Sequence, residues 1–177
     1  MPIPRTSKKE NVLDAALGII EQDGVHALTY DSLAAATGMS KSGLIYHFPT
    51  RHDLLVDCHR LCAQRWEAEL VELSGGKTAD ELTERERYRA AITSMGKHDP
   101  LIELLMTIHA QSHADFQAVW RDVDSRWLPS PDTEDESVLL AAVIGNGLWV
   151  YDHLTERPLP KGRRRALIDV ALGHLNT

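Results

Sequence analysis

Among all segments of the chain, residues 29–51 place the strongest limits on the fold. They read TYDSLAAATGMSKSGLIYHFPTR. Thr29 belongs to the residue types that cap helices with a side-chain oxygen, and Ser40 repeats that signal further along. Gly38 lies between them, where a left-handed backbone conformation ends a helix tightly. Because Pro49 then stops the second segment, the stretch predicts two short helices joined by a tight turn.

The second of these helices divides into an apolar side and a polar side. Leu44, Ile45 and Phe48 share one face at helical spacing and are predicted to be buried. Two short helices in this arrangement are typical of a helix-turn-helix unit, whose second helix enters the major groove of DNA. We therefore predict a DNA-binding head with these contact residues: Arg5, Lys8, Thr29, Lys41, Ser42, Gly43, Tyr46, His47, Thr50 and Arg51.

The residue types on the polar side suit DNA contacts. Lys41 can donate to guanine O6 or N7, and Ser42 can donate or accept. Gly43 lets the backbone approach the bases closely. Thr50 and Arg51 offer a hydroxyl, backbone N–H groups and a cation to a phosphate. A merely solvated helix face is the alternative interpretation.

The composition fits an ordinary soluble protein, with 43% apolar and 25% charged residues. The N-terminus shows no secretory leader, and the most apolar segment, residues 138–151, is interrupted by Asn146 and is predicted too short to cross a membrane. Cys58 and Cys62 lie one helical turn apart, so we expect both to be reduced and buried. These features predict a cytoplasmic protein.

The net charge of −7 argues against a protein that coats nucleic acid non-specifically, because such binding needs clustered Lys and Arg. The charge is uneven along the chain. Residues 1–55 carry five basic and six acidic side chains, hence −1, which leaves −6 for the remainder. The N-terminal head is therefore the less acidic end.

Apolar residues keep helical spacing along the whole chain, and no segment shows the alternation of a strand. A long helix is predicted from Arg51 to Ser74, about 36 Å at 1.5 Å per residue, so its far half belongs to a second region. The segment that begins near Pro100 is apolar nearly all round and is predicted to lie inside that region. We predict an all-α fold of about nine helices, with a three-helix head over residues 1–50 and a larger body over residues 51–177.

The residues SKSGLIYHFPTRHDLL resemble the head motif of the TetR family of bacterial transcriptional repressors, and the order of helices is similar to that family. The sequence departs from the family's usual motif in two places. Ser42 and Gly43 stand where many members have Gly and Thr, and Ile45 replaces an aromatic residue. The resemblance implies a ligand-binding and dimerising body, a palindromic operator and release by a small-molecule inducer. The segments RTSKKE and TYDSLA are further similar to actinobacterial multidrug-responsive members, which implies a lipophilic, cationic inducer and control of an efflux gene.

In a dimer, the two DNA-binding heads bind the two halves of a palindromic operator, which lie about one turn of DNA, or 34 Å, apart. The body must hold the heads at this distance. The last two predicted helices, over residues 134–153 and 161–176, carry more apolar surface than one core uses, so they suit a four-helix interface with a second copy. Burial within one protomer is the alternative. The predicted interface residues are Val138, Ala142, Leu167, Ala171 and Leu175.

Aromatic and methionine side chains from several helices point, by periodicity, towards the interior of the body. Stacking and cation–π contacts make such side chains suitable for flat or cationic compounds. The predicted ligand contacts are Trp66, Met95, Leu105, Ile108, Trp120 and Trp149. A solid core built from the same residues is the alternative, and it would leave a constitutive DNA-binding protein.

Metal binding and enzymatic chemistry have less support in the sequence. His109 and His113 have the spacing of two ligands on one helix, with Asp115 nearby, but a predicted helix break between them would spoil that geometry. The segment over residues 58–62, CHRLC, lacks a further ligand at suitable spacing. The sequence shows no nucleophile with its base, no phosphate loop and no dinucleotide fingerprint. We predict neither metal nor cofactor and no enzyme, with a metal-sensing regulator as the alternative.

Overall fold

The computed structural model describes residues 8–97 and 99–175, which form helices and no strand. This confirms the prediction of an all-α fold with about nine helices. Arg5 lies outside the described residues. Two short 3-10 turns lie at Val25–Ala27 and Ala79–Glu81. The helices are α1 Lys8–Asp23, α2 Tyr30–Thr37, α3 Lys41–His47, α4 Arg51–Leu73, α5 Glu84–Met95, α6 Leu101–Ala110, α7 Ala114–Trp127, α8 Glu136–Leu154 and α9 Lys161–His174.

Packing divides the described residues into two compact units. Unit 1 is formed by residues 8–64 and 101–120, and unit 2 by residues 65–97, 99–100 and 121–175. The first part of α4, α6 and the first half of α7 therefore pack with the N-terminal helices. The division of function after residue 50 stays a prediction.

The position of α6 differs from the prediction that placed it inside the body. Met106 and Ala110 are buried in the same apolar cluster as Leu13 of α1. The backbone N–H of Ile102 also donates to Glu21 Oε1 at 3.2 Å. An apolar helix is buried wherever a complementary face exists, and periodicity alone does not show which neighbour supplies that face.

Unit 1 has one continuous core that runs from α1 to α7. Cys58 and Cys62 are both buried in it, as the sequence predicted. Burial raises the pKa of Cys58 far above its usual value, so this thiol stays protonated. The side chains of this core include Val12, Leu13, Ala16, Leu17, Ile20, Leu28, Leu33, Leu44, Phe48, Leu54, Leu55, Met106 and Phe116.

A short polar chain crosses the core of unit 1 and is centred on His59, which is fully buried. The indole Nε1 of Trp120 donates to His59 Nδ1 at 3.0 Å. Because Nδ1 accepts, His59 Nε2 carries the proton and donates to His109 Nδ1, also at 3.0 Å. Burial, with a smaller contribution from His109, lowers the pKa of His59 to about 4. His59 is therefore a neutral, hydrogen-bonded core residue at pH 7.

Unit 2 is built on the packing of α5, α8 and α9. Its apolar cluster includes Ile92, Ala141 and Ala171 from these three helices. Arg164 of α9 is buried and forms an ion pair with Asp152 of α8, with 2.6 Å between Nη2 and Oδ2. Arg164 Nη1 also donates to the carbonyl of Leu148 at 2.9 Å. A buried guanidinium that satisfies a carboxylate and a carbonyl of the same helix fixes α9 on α8.

The length and composition of α8 are sufficient for a membrane-crossing helix, which differs from the prediction that no segment is long enough. Apolar helices in protein cores pass the same test. Within unit 2, only 28% of the most apolar window of α8 is buried. The helix therefore presents an uncovered apolar surface.

The neutral state of His59 predicts a loss of stability in mild acid. Its pKa is about 4 in the folded protein and about 6.5 when unfolded, so between these values the unfolded chain binds the extra proton. Lowering the pH from 7 to 5 should cost about 2 kcal/mol through this residue. Urea unfolding of the wild type and His59→Gln at both pH values measures the difference.

The His59→Gln protein should lose correspondingly less free energy of unfolding over this pH interval, because the carboxylates and the other histidines titrate in both proteins. An equal loss in both proteins would contradict the assignment of a depressed pKa to His59.

Candidate nucleic-acid interface

The helix-turn-helix forms through the local signals that the sequence predicted. Thr29 caps α2 by accepting from the backbone N–H of Ser32 at 3.0 Å, and the Ser32 hydroxyl accepts from the N–H of Thr29 in return. Gly38 ends α2 in the left-handed conformation with φ +69°. Ser40 caps α3 by accepting from the backbone N–H of Gly43 at 3.1 Å. These contacts confirm the two caps and the glycine turn.

The buried face of α3 positions the helix against its neighbours. Leu44 and Phe48 are fully buried together with Leu33 of α2. The hydroxyl of Tyr30 donates to the carbonyl of Phe48 at 2.5 Å and so joins the end of α3 to the start of α2. Ile45 was predicted to share this face, but 42% of its surface is exposed. The helix has only seven residues, and Leu44 and Phe48 fill the space beneath it.

The opposite face of α3 is exposed and holds several of the predicted DNA contacts. Lys41, Ser42, Tyr46 and His47 are all exposed, and 83% of Tyr46 is accessible. Lys41 Nζ donates to both carboxylate oxygens of Asp31, at 3.0 and 3.1 Å. An ion pair this exposed contributes little to stability, so its lysine can exchange the carboxylate for a DNA acceptor.

Gly43 has a structural role in addition to the one that the sequence suggested. A Cβ atom at this position would lie 3.2 Å from the hydroxyl oxygen of Ser40. That oxygen accepts the N–H of Gly43 and caps the helix. A larger residue would therefore crowd the cap at the end of α3 that approaches DNA.

Thr50 and Arg51, predicted to contact a phosphate, hold the start of α4. The Thr50 hydroxyl donates to Asp53 Oδ2 at 2.7 Å and accepts from the N–H of Asp53 at 3.0 Å. Arg51 Nε donates to the carbonyl of Leu28 at 2.8 Å, and its Nη2 donates to that of Val25. The guanidinium of Arg51 thus fixes the loop before α2. Thr50 and Arg51 are nevertheless both exposed.

The two lysines that begin α1 are both exposed, but only one of them has a partner nearby among the residues that the structure describes. Lys8 is exposed at the first residue of α1. Lys9 lies 2.7 Å from Asp57 Oδ2 and 5.5 Å from the ring centroid of Phe48. Lys8 is therefore the one of the two whose position suits a phosphate contact.

The predicted ligand residues fall into both units. Leu105, Ile108 and Trp120 belong to unit 1, where Ile108 is exposed and Trp120 is engaged with His59. Met95 of unit 2 is buried. Trp66, in the same unit, donates from Nε1 to the hydroxyl of Ser94 at 3.0 Å. The last of the set is Trp149 of unit 2, which is partly buried.

Four of the five predicted dimer residues lie inside unit 2. Each of the four has no more than 7% of its surface exposed: Val138, Ala142, Ala171 and Leu175. Their burial within unit 2 fits the alternative that the sequence left open, and the dimer interface itself stays a prediction. Leu167 alone of the set is exposed, at 40%. The exposed apolar residues on α8 and α9 are Leu140, Val143, Tyr151, Leu154, Leu167 and Val170.

Unit 2 also contains a set of polar contacts that the sequence did not single out. Glu67 accepts two hydrogen bonds from Arg126 and one from the indole of Trp127, all at 2.9–3.0 Å. Asp124, on the same helix, is partly buried, and this burial raises its pKa to about 6. Spacing on α7 could not show this, because periodicity does not tell how far a charged side chain is buried.

The histidines pair differently from the i, i+4 arrangement that the sequence offered. His109 faces His59, whereas His113 lies against Asp115 and His52. In the segment over residues 58–62 both cysteines are buried, and burial raises the pKa of Cys58, whose protonated thiol is a poor ligand. The structure thus groups His52 with His113 and Asp115, and His52 was not among the predicted ligands.

The head of the chain matches known regulators in sequence. Residues 12–58 match the family model described as bacterial regulatory proteins, tetR family. The HTH-type transcriptional regulator RutR of Escherichia coli K12 is 34% identical over 65 residues, which cover 37% of this chain and 31% of RutR. The chain therefore spans about a third of the length of the curated relatives that it matches.

The fold extends the likeness over nearly the whole chain. A transcriptional regulator from Saccharomonospora viridis in complex with choline superposes with a TM-score of 0.72 at 16% identity, covering 96% of this chain and 97% of that one. The multidrug binding protein EbrR complexed with malachite green gives 0.62 at 19% identity, with coverage of 93% and 98%. The head of the chain, residues 12–58, thus matches the TetR family, and the chain shares the fold of these solved structures.

Proposed function

We propose that the chain is a cytoplasmic, ligand-responsive repressor that binds a palindromic operator as a dimer and is released by a lipophilic, cationic inducer. The observation that carries this proposal is the rigidly capped α3, whose exposed face offers Lys41 and Ser42 at its N-terminal end. An exposed helix end of this kind is what a helix-turn-helix inserts into the major groove.

The residues that we propose to contact DNA divide into base contacts and phosphate contacts. Lys41 and Ser42 lie in the first turn of α3, where a side chain reaches base edges. Tyr46 and His47 lie a turn further on and suit the sugar–phosphate backbone, together with Lys8 and Thr50. On DNA, Lys41 leaves Asp31 and donates to a guanine. The carboxylate of Asp31 is then unpaired, and it disfavours DNA sites in which it would face a phosphate.

The dimer interface that we propose uses the outer stripes of α8 and α9. Leu140 and Val143 of α8 are exposed and lie on one face, and Leu167 and Val170 of α9 form a second exposed pair. Exposed Gly147 lies on the same face of α8 with open space around it. Two copies of this helix pair make a four-helix interface of the type that the family resemblance implies.

A cationic inducer is favoured by the chemistry of the body and by the structural relatives. One relative was crystallised with choline and another with malachite green, both of which are cations. In this chain Asp124 is a partly buried carboxylate, and an organic cation beside it would offset the cost of its desolvation. The closeness to multidrug-responsive members and the control of an efflux gene are part of the same proposal.

The Lys41→Ala protein should bind the operator about 10- to 100-fold more weakly at fixed salt, because a base-reading donor is lost. Lys77→Ala, which removes the same charge from an exposed position of unit 2, is the matched control and should bind as the wild type does. Fluorescence anisotropy with an operator fragment measures both. Equal affinity of the two variants would refute the role of Lys41.

Replacing Val143 or Val170 with Glu should separate the dimer, because 59% and 55% of these side chains are exposed on the proposed interface and a buried carboxylate there is costly. Sedimentation equilibrium should show monomers for both variants. Leu73→Glu, which charges an exposed apolar residue at the end of α4, should stay dimeric. Dimers of unchanged affinity in the Val143 and Val170 variants would contradict the interface.

Choline and malachite green should quench the tryptophan fluorescence of the wild type with saturation at one site per chain. Asp124→Asn keeps the size of the side chain but removes its charge, and should weaken cation binding about tenfold. Asp132→Asn, at an exposed position, is the control. Unchanged affinity in Asp124→Asn would show that this carboxylate does not serve the ligand, and no saturable quenching would favour a constitutive DNA-binding protein.

A further inference from the structure

Two histidines and an aspartate meet on the surface of unit 1. His52 is the second residue of α4, and His113 and Asp115 lie at the junction of α6 and α7. His52 Nε2 is 2.9 Å from Asp115 Oδ2, and His113 Nδ1 is 3.6 Å from the same oxygen. One potential ligand atom from each of the three residues lies within 4.8 Å of the other two. Two imidazoles and a carboxylate thus converge on one point.

These distances are close to those of a zinc coordination shell. Zinc–nitrogen and zinc–oxygen bonds of about 2.0–2.1 Å place the ligand atoms of a tetrahedron about 3.3 Å apart. The two distances from Asp115 Oδ2, 2.9 and 3.6 Å, fall on either side of that value. Rotations of the exposed side chains that bring the two imidazole nitrogens, which lie within 4.8 Å of each other, to this spacing would complete three corners of a tetrahedron.

The hydrogen bonds within the cluster show which contacts an ion would replace. The backbone N–H of Asp115 donates to His113 Nδ1 at 3.2 Å, so this nitrogen is unprotonated and an ion bound to it takes the place of that hydrogen bond. His52 Nε2 faces the carboxylate, and an ion between them takes the place of the shared proton. No thiol or lysine has to change its state for the three residues to bind.

The ring of Phe116 contacts the imidazoles of both His52 and His113 and orients them. Phe116 is buried, and its ring centroid is 4.9 Å from that of His52 and 5.4 Å from that of His113. His52 stacks on this ring and His113 contacts it at a tilt, and both contacts reduce the rotamer freedom that the ligand loses on binding an ion. A groove of about 520 Å³ has His52 and Asp115 in its wall, so water or a further ligand can reach the open coordination position.

We propose that His52, His113 and Asp115 form a divalent transition-metal site, with Zn²⁺ as the ion that its ligand types fit best. Two nitrogens and one carboxylate oxygen give the ligand set of an open zinc site with a fourth position for solvent. The ion ties the first turn of α4 to the α6–α7 junction. His52 follows directly on Arg51, which holds the loop before α2, so the site is connected to the helix-turn-helix through one residue.

The test is metal binding by the full chain without DNA, so its result does not depend on the proposed repressor function. Metal-free protein is titrated with Zn²⁺ by calorimetry and with Co²⁺ by visible absorption. One ion should bind per chain, and Co²⁺ should give the absorption of a low-symmetry nitrogen–oxygen site. His52→Ala, His113→Gln and Asp115→Asn should each weaken binding by about tenfold or more.

His26→Ala, which removes an exposed histidine elsewhere in unit 1, is the control and should bind as the wild type does. Zn²⁺ should raise the thermal midpoint of the wild type and of this control, but not that of Asp115→Asn, whose exposed side chain keeps its size. Less than one ion per chain in the wild type, or equal affinity in the cluster variants and the control, would overturn the proposal.

Discussion

The position of α3 depends on the burial of Leu44 and Phe48 beneath it. These side chains have no accessible surface, and the hydroxyl of Tyr30 binds the carbonyl of Phe48 from the start of α2. A helix of seven residues has little stability of its own, so tertiary packing and caps decide whether it forms. The exposed face with Lys41 and Ser42 is defined only because the opposite face is fixed.

The same constraint connects the recognition helix to α4. Phe48 ends α3, and the capping pair of Thr50 and Asp53 starts the next helix after a single intervening residue. Arg51 then binds the loop that precedes α2. A displacement of the first turn of α4 therefore changes the position of the whole helix-turn-helix, and this is the step by which we propose that a ligand in the body controls DNA binding.

Local signals in the sequence predicted the fold well, since caps and turns depend on residues a few positions apart. Thr29, Gly38 and Ser40 act as their types suggest. The long-range pairs could not be read in this way. Lys41 meets Asp31 only because α2 and α3 pack together, and His52 meets Asp115 only because α6 and α7 return to α4. Val138 and Ala171 have the same periodicity whether they face a partner or their own core, and only the structure shows that they pack in one cluster with Ile92 of α5.

The central claim is that two copies of this head read a two-fold operator. Selection from a pool of random double-stranded DNA by the full chain, followed by sequencing of the bound fraction, tests it most directly. We predict an enriched inverted repeat whose half-site centres lie about one turn of DNA, or 34 Å, apart or at a multiple of it. Enrichment of a single unrepeated motif, or no enrichment over the input pool, would contradict the account.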